Sequence, residues 1–281
     1  MEFNVLNNRD QAIHIIIHNH KEAQNKKEIS MKDKKIGLAL GGGAVLGAAH
    51  IGVLKALEEL EISVQYVAGT SIGAFVAAFY AFDKTWKEIE EIAVKLKWMD
   101  ISGISLSQYG LLSNEKLGEL IMEYIGNKTF KQSSIPLAII ATDISNGQKV
   151  VLKKGSVAEA AMASTAIPGI FKPLEMDGRL LVDGGIVENV PINTLKDMGA
   201  DYVIGVDLNA KHSYQRPDHI VDVMVNSFHF TLQASAKLQT KEADLLIQPD
   251  LSSFNRSDMD QVEALIAKGY DESIGKLREL K

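Results

Sequence analysis

The sequence predicts an α/β domain three layers deep, with a mainly parallel sheet between helices. Three observations carry that expectation. Short apolar runs alternate with helix-period segments along most of the chain, glycine-rich breaks stand at strand-to-helix junctions, and 281 residues with 46% hydrophobic content suffice for one large core. The first junction runs from the apolar strand Ile36–Leu40 through Gly41-Gly42-Gly43 into a helical pattern from Ala44 to Leu60, with Leu46, Val53, Leu54, Leu57 and Leu60 at helical spacing. The second runs from a strand over Val64–Ala68 through the sharp turn Gly69-Thr70-Ser71-Ile72-Gly73 into an apolar helix, Ala74–Phe82.

Thr85–Lys97 and Asn114–Ile125 read as amphipathic helices. Between them, Trp98 to Ser113 shows no clear period and is expected as a lid segment; its Trp98 and Met99 would either stay exposed on that segment or pack in the core. Pro136–Ile144 and Lys149–Lys153 are expected to pair around Asn146-Gly147, a two-residue hairpin signal. Ser156-Val-Ala-Glu159 has capping-box spacing and should open a helix running to about Ala163, which Pro168 keeps from continuing. Arg179–Val182 and Tyr202–Val206 are further strands, Thr194–Met198 is a short helix stopped by Gly199, and His219–Thr240 and Met259–Leu280 close the chain as helices. With no repeat and no Pro-rich linker, residues 31–281 are expected as one domain behind a poorly ordered extension, 1–30, with Met31 as an alternative start.

Composition narrows the chemistry. The 36 acidic residues against 30 basic give a net charge of -6, which argues against nucleic-acid binding through phosphate neutralisation and gives little steering toward an anionic membrane. The absence of cysteine excludes disulfides, thiol nucleophiles and thiolate metal sites. No calcium-loop or H-E-x-x-H pattern is present, and His14, His18 and His20 have no carboxylate company, so neither metal nor cofactor is expected. No apolar run approaches the roughly 18 residues of a membrane span, and the first thirty residues lack the order of a secretory signal. The expected location is the cytoplasm, with transient membrane contact as the peripheral option.

Gly69-Thr70-Ser71-Ile72-Gly73 fits G-x-S-x-G, in which a tight strand-to-helix turn pushes a serine hydroxyl outward. Alone the pattern is weak; the strand before it and the helix after it favour a nucleophile over an ordinary glycine turn. Gly41-Gly42-Gly43 lets consecutive N–H groups converge on an anion. It fails the dinucleotide fingerprint, because Ala44 or Leu46 stands where glycine is required, and it lacks the Lys-Ser/Thr of a phosphate loop. An oxyanion hole built from Gly42, Gly43 and Ala44 is the better use, with a packing turn as the alternative. Asp183-Gly184-Gly185 puts a carboxylate at a strand end, where sites of parallel sheets collect, although structural turns use the same residues.

Four blocks in order resemble the patatin-like phospholipases: Gly41-Gly-Gly-Ala-Val-Leu-Gly-Ala-Ala-His-Ile-Gly-Val-Leu54, Gly69-Thr-Ser-Ile-Gly73, Ala163-Ser-Thr-Ala-Ile-Pro-Gly-Ile-Phe171 and Asp183-Gly-Gly-Ile-Val-Glu-Asn-Val-Pro191. The resemblance implies a patatin-like fold and a dyad in which Ser71 attacks a lipid ester carbonyl, Asp183 assists proton transfer, and the glycine-rich loop stabilises the oxyanion. One departure stands out: Ala44 and Leu46 occupy positions at which many members carry a fourth glycine and a basic residue. Hence a catalytically weak lipid-binding or scaffold protein is the first alternative. The second is a Ser-His-Asp esterase acting on soluble esters, for which His212 is the base to test, His50 being expected to pack in a helix. Asp143 and Asp207 are expected in strand-end turns, with a second carboxylate in the cleft as the alternative, and Asn189 and Pro191 to fix the chain after Asp183.

Overall fold

The computed structural model describes residues 31–98, 103–107, 110–211 and 216–281. Residues 35–281 fold as one compact unit. The chain enters it at β1 (Ile36–Leu40), buried along its whole length, and passes a glycine break and a 3-10 turn (Ala44–Gly47) into α1 (Ala48–Glu59). β2 (Tyr66–Thr70) and α2 (Ile72–Ala81) repeat the unit, and α3 (Trp86–Trp98) follows. The hairpin β3 (Gly103–Ser107) and β4 (Gly110–Ser113) precedes α4 (Glu115–Ile125). β5 (Leu137–Asp143), β6 (Gln148–Leu152), α5 (Val157–Ser164), β7 (Leu174–Met176) and β8 (Arg179–Asp183) come next. α6 (Ile192–Met198), β9 (Tyr202–Val206), α7 (Ile220–Gln239), β10 (Leu245–Ile247) and α8 (Val262–Arg278) complete the order.

The sheet runs β10-β9-β1-β2-β5-β8-β7, with β6 also on β5. The first five strands of that order are parallel, while β6, β7 and β8 are antiparallel to their neighbours. Strand alternation divides the core into the expected layers. Leu38 and Leu40 of β1, Val67 of β2, Ile139 of β5 and Ile204 of β9 pack with α1, α2, α4 and α8 on one face. Ala39, Ala68, Ala138 and Val203, one residue out of phase, pack with Ile192 and Leu195 of α6 and Ala236 of α7 on the other. Large residues fill the thick layer and alanines let the thin layer approach. Each fully buried leucine of the thick layer contributes about 1.5–3 kcal/mol.

Several boundaries differ from the sequence reading for physical reasons. The helix expected from Ala44 becomes regular only at Ala48, because Ala44 sits at φ +52° and the next turn is 3-10. β2 lies two residues later than expected, at Tyr66–Thr70. Asn146-Gly147 belongs to a four-residue loop rather than a two-residue turn, since the last strand pair is Asp143 with Gln148; Asp143 Oδ1 accepts the Ser145 N–H at 3.0 Å and tightens it. The segment expected as irregular contains β3 and β4, and Leu112 is bonded to Ile170 and Lys172 near Phe171. Met99 lies outside the described residues. β7 and β10, three residues each, are too short to show a period. Two end signals act as the sequence implies: Ser156 accepts the Glu159 N–H at the start of α5, and Gly199 stops α6 at φ +100°.

Candidate active site

The parallel strands deliver their glycine-bearing turns to one edge of the sheet. Ser71, between β2 and α2, has φ 55° and ψ -128°, a conformation that L-residues avoid and that costs on the order of 1–3 kcal/mol. The elbow presses directly on the end of β1: a Cβ at Gly73 would lie 2.1 Å from Leu40 O. The Ser71 N–H donates to Ser164 Oγ at 2.8 Å, and Ser164 Oγ donates to Ile140 O at 2.6 Å. Ser164 thus ties the elbow to β5. It lies inside the Ala163–Phe171 block, which is the only signal the sequence offers for it.

Asp183 ends β8 and is fully buried. Its N–H donates to Ala166 O at 2.9 Å, its carbonyl accepts from Thr142 Oγ1 at 2.9 Å, and its Oδ1 accepts the Gly185 N–H at 2.8 Å. Burial pushes the carboxyl up to about 7, against the opposing pull of the Ser71 hydroxyl and the Gly185 N–H. Oδ2 nevertheless accepts no hydrogen bond of normal geometry from the described residues. The Ser71 hydroxyl still faces Asp183 closely enough to pull its carboxyl down.

Side chains from distant elements hold the glycine-rich loop. Gly41 N–H donates to Val206 O at 3.1 Å, and Gly41 O accepts from His50 Nε2 at 2.8 Å. Gly42 N–H is taken by Asn189 Oδ1 at 3.2 Å, and Gly42 O accepts from Asn209 Nδ2 at 2.8 Å. Among the described residues, the Gly43 and Ala44 N–H groups have no acceptor. His50 is fully buried, and burial lowers it to about 4, so it is neutral and its Nε2 carries the donated proton. Asn189 does more than fix its own turn: it crosses to the loop. Leu46, at the usually basic position, is fully buried in the core.

A cavity of about 390 Å³ runs from Ser71 and Ala44 past Ile51, Phe75, Ile89, Leu96, Leu117 and Phe171, and all six of these walls are apolar. Arg256, Ser257 and Thr165 add polar groups. Arg256 also holds the loop from outside, its carbonyl accepting the Val45 N–H at 3.1 Å. Of the histidines, His219 caps α7 and His229 is buried in it, while His212 lies outside the described residues together with His14, His18 and His20. Asp207 accepts from the Asn209 N–H and Gln248, the turn role expected of it. The described residues contain no group of three or more His, Cys, Asp or Glu arranged to hold a metal, and no helix long and apolar enough to cross a membrane.

A sequence model of the patatin-like phospholipases matches residues 38–196, from β1 through the elbow and Asp183 into α6. The chain belongs to the patatin-like phospholipase family. An uncharacterised NTE family protein of Mycobacterium bovis is 35% identical over 184 residues, 64% of this chain and 50% of that protein. Lysophospholipase NTE1 of Coccidioides immitis is 32% identical over 183 residues, 63% of this chain and 12% of that protein. This patatin-like chain therefore spans half or less of the length of these relatives. VipD from Legionella pneumophila shares the fold, with a TM-score of 0.54 and 15% identity over 88% of this chain and 67% of that one.

Proposed function

We propose that this patatin-like protein is a serine-dependent lipid acyl hydrolase working through Ser71 and Asp183, with residues 31–281 as its single catalytic domain. The observation that carries the reading is a serine on a strained elbow, facing a carboxylate held near neutrality, at the mouth of an apolar cavity. Ser71 Oγ attacks the ester carbonyl carbon while its proton passes to Asp183. The tetrahedral oxygen takes hydrogen bonds from the free Gly43 and Ala44 N–H groups, each worth about 3–4 kcal/mol in such sites. Gly42 then acts through its position, because its own N–H is engaged by Asn189. Collapse expels the alcohol with the proton from Asp183, and water releases the acyl group by the same steps in reverse.

The cavity supports a single acyl chain. Its walls beside Ser71 are apolar, as an acyl chain requires, and about 390 Å³ is within the range of an ordinary small-ligand cavity, roughly 300–1,000 Å³. Lysophospholipids carry a single acyl chain of this kind, and a lysophospholipase is among the relatives. Transient contact with a membrane surface would then deliver the substrate.

Fatty-acid release from lysophosphatidylcholine by wild type, Ser71→Ala and Asp183→Asn tests the proposal. Turnover by wild type, background rates in Ser71→Ala and a loss of a thousandfold or more in Asp183→Asn are expected. Turnover retained in Ser71→Ala would discard the mechanism. Lipid binding without turnover of any acyl ester by folded wild type would favour the scaffold reading, whose motivation is Leu46 at the usually basic position.

A further inference from the structure

We propose that Asn209 is a positioning residue for the oxyanion hole: by holding the Gly42 carbonyl, it sets the direction of the Gly43 N–H. This inference rests on the acyl-hydrolase reading above. Asn209 Nδ2 donates to Gly42 O at 2.8 Å, and the residue is fully buried. Gly42 C=O and Gly43 N–H are the two ends of one planar trans peptide, so they point in opposite directions. Fixing the oxygen therefore aims the hydrogen.

Such an anchor is needed here because a peptide between two glycines meets little steric resistance to rotation. The preceding peptide, Gly41–Gly42, is tied at both ends, its carbonyl by His50 Nε2 and its N–H by Asn189 Oδ1. The Gly42–Gly43 peptide is tied only at its carbonyl, by Asn209, and its N–H has no acceptor among the described residues. One of the two consecutive peptides is thus fully engaged in holding the loop, and the other keeps its donor for a ligand. The bond from Asn209 also polarises the peptide, which strengthens that donor.

Asn209 is built for this contact. A carbonyl oxygen only accepts, so the amide nitrogen must be the end that faces Gly42. The other end, Oδ1, is buried and accepts nothing from the described residues, and the side chain is also held by a hydrogen bond to Asp207. The backbone beneath it is pinned from two sides: the Asn209 N–H donates to Asp207 Oδ1 at 3.0 Å, and its carbonyl accepts from Gln233 Nε2 at 3.1 Å. The family match ends at residue 196, so Asn209 lies beyond the matched motifs.

The experiment measures kcat and KM on p-nitrophenyl butyrate, together with the affinity of an alkyl trifluoromethyl ketone, for wild type, Asn209→Ala and the similarly sized Asn209→Leu. The ketone adds Ser71 Oγ at its carbonyl carbon and becomes an oxyanion, the serine proton passing to Asp183. Expected in folded variants are a kcat lower by roughly ten- to a hundredfold, KM within about twofold, and ketone affinity lower by the same factor as kcat. A role confined to stability would lower the melting temperature and leave kcat and ketone affinity alone. Values within twofold of wild type for both overturn the inference while leaving the acyl-hydrolase reading standing. A folded wild type that neither turns over the ester nor binds the ketone overturns both. The crystal structure of the wild-type ketone adduct decides the matter even if both variants fail to fold. Gly43 N–H on the adduct oxygen with Asn209 still on Gly42 O supports the inference, and a rotated Gly42–Gly43 peptide contradicts it.

Discussion

The turn after β2 and the turn after β1 lie side by side at the edge of the sheet, both rich in glycine and both leading into a helix, yet they are stabilised differently. At the elbow, Gly69-Thr70-Ser71-Ile72-Gly73, shape is imposed by backbone crowding: a Cβ at Gly69 would lie 2.3 Å from Gly73 O, and one at Gly73 2.1 Å from Leu40 O. At Gly41–Ala44, the side chains of His50, Asn189 and Asn209, reaching the loop from α1, from beyond β8 and from beyond β9, join the backbone bond from Gly41 N–H to Val206 O in holding the shape. The strained serine sits where backbone crowding sets the conformation, and the peptides proposed as oxyanion donors sit where side chains hold it. A nucleophile needs one fixed direction; a pair of donors needs to be aimed.

The contrast fixes the order of effects expected from perturbing each turn. The largest belongs to the elbow. Gly73→Ala drives a methyl into backbone atoms that cannot give way, and a loss of about 4 kcal/mol or more is expected, read as a fall in melting temperature; a loss below about 1 kcal/mol would mean that the elbow is looser than its contacts imply. The loop responds to pH instead. His50 is held at about 4, below its unfolded value of 6.5, so the folded state binds fewer protons. Its contribution is complete above pH 6.5 and is lost as pH falls through 6.5 toward 4, by roughly 3 kcal/mol. Asp183, raised to about 7, gives a slope of opposite sign over the same window. The His50 contribution is therefore read as the difference between urea melts of wild type and His50→Gln; a difference that does not change between pH 4 and 6.5 would assign no such contribution to His50. The smallest effect is at Ala44, where φ +52° penalises a side chain. Ala44→Gly should stabilise by about 0.5–1 kcal/mol with activity retained, because glycine still supplies the N–H. Destabilisation would show that the Ala44 methyl is needed for packing.

The same contrast explains what could be read from the sequence. The elbow announces itself because its constraint is local: two glycines flank Ser71, with an apolar strand before and an apolar helix after. The layered sheet was legible for the same reason, since Leu38, Ala39 and Leu40 alternate within one strand. Asn189 was legible as a turn residue but not as the partner of Gly42, which lies 147 positions away. Asn209 and Ser164 carry no local mark of their roles, because the acceptor that makes each matter is brought to it only by the sheet. The 3-10 turn after Ala44 was hidden because alanine continues a helical pattern in sequence while its backbone interrupts the helix in space.

The central claim is that Asp183, held near neutrality by burial, activates Ser71. Its most direct test is the rate of covalent labelling by a fluorophosphonate probe between pH 5 and 9, on wild type, Ser71→Ala and Asp183→Asn, followed by intact mass. Because burial raises the Asp183 carboxyl to about 7, its base form is lost as pH falls through that value. The account predicts a single adduct whose rate rises with pH through an inflection near 7, no adduct in Ser71→Ala, and a slow rate without that inflection in Asp183→Asn. A wild-type rate that is flat across the range, or an inflection that survives in Asp183→Asn, would contradict it.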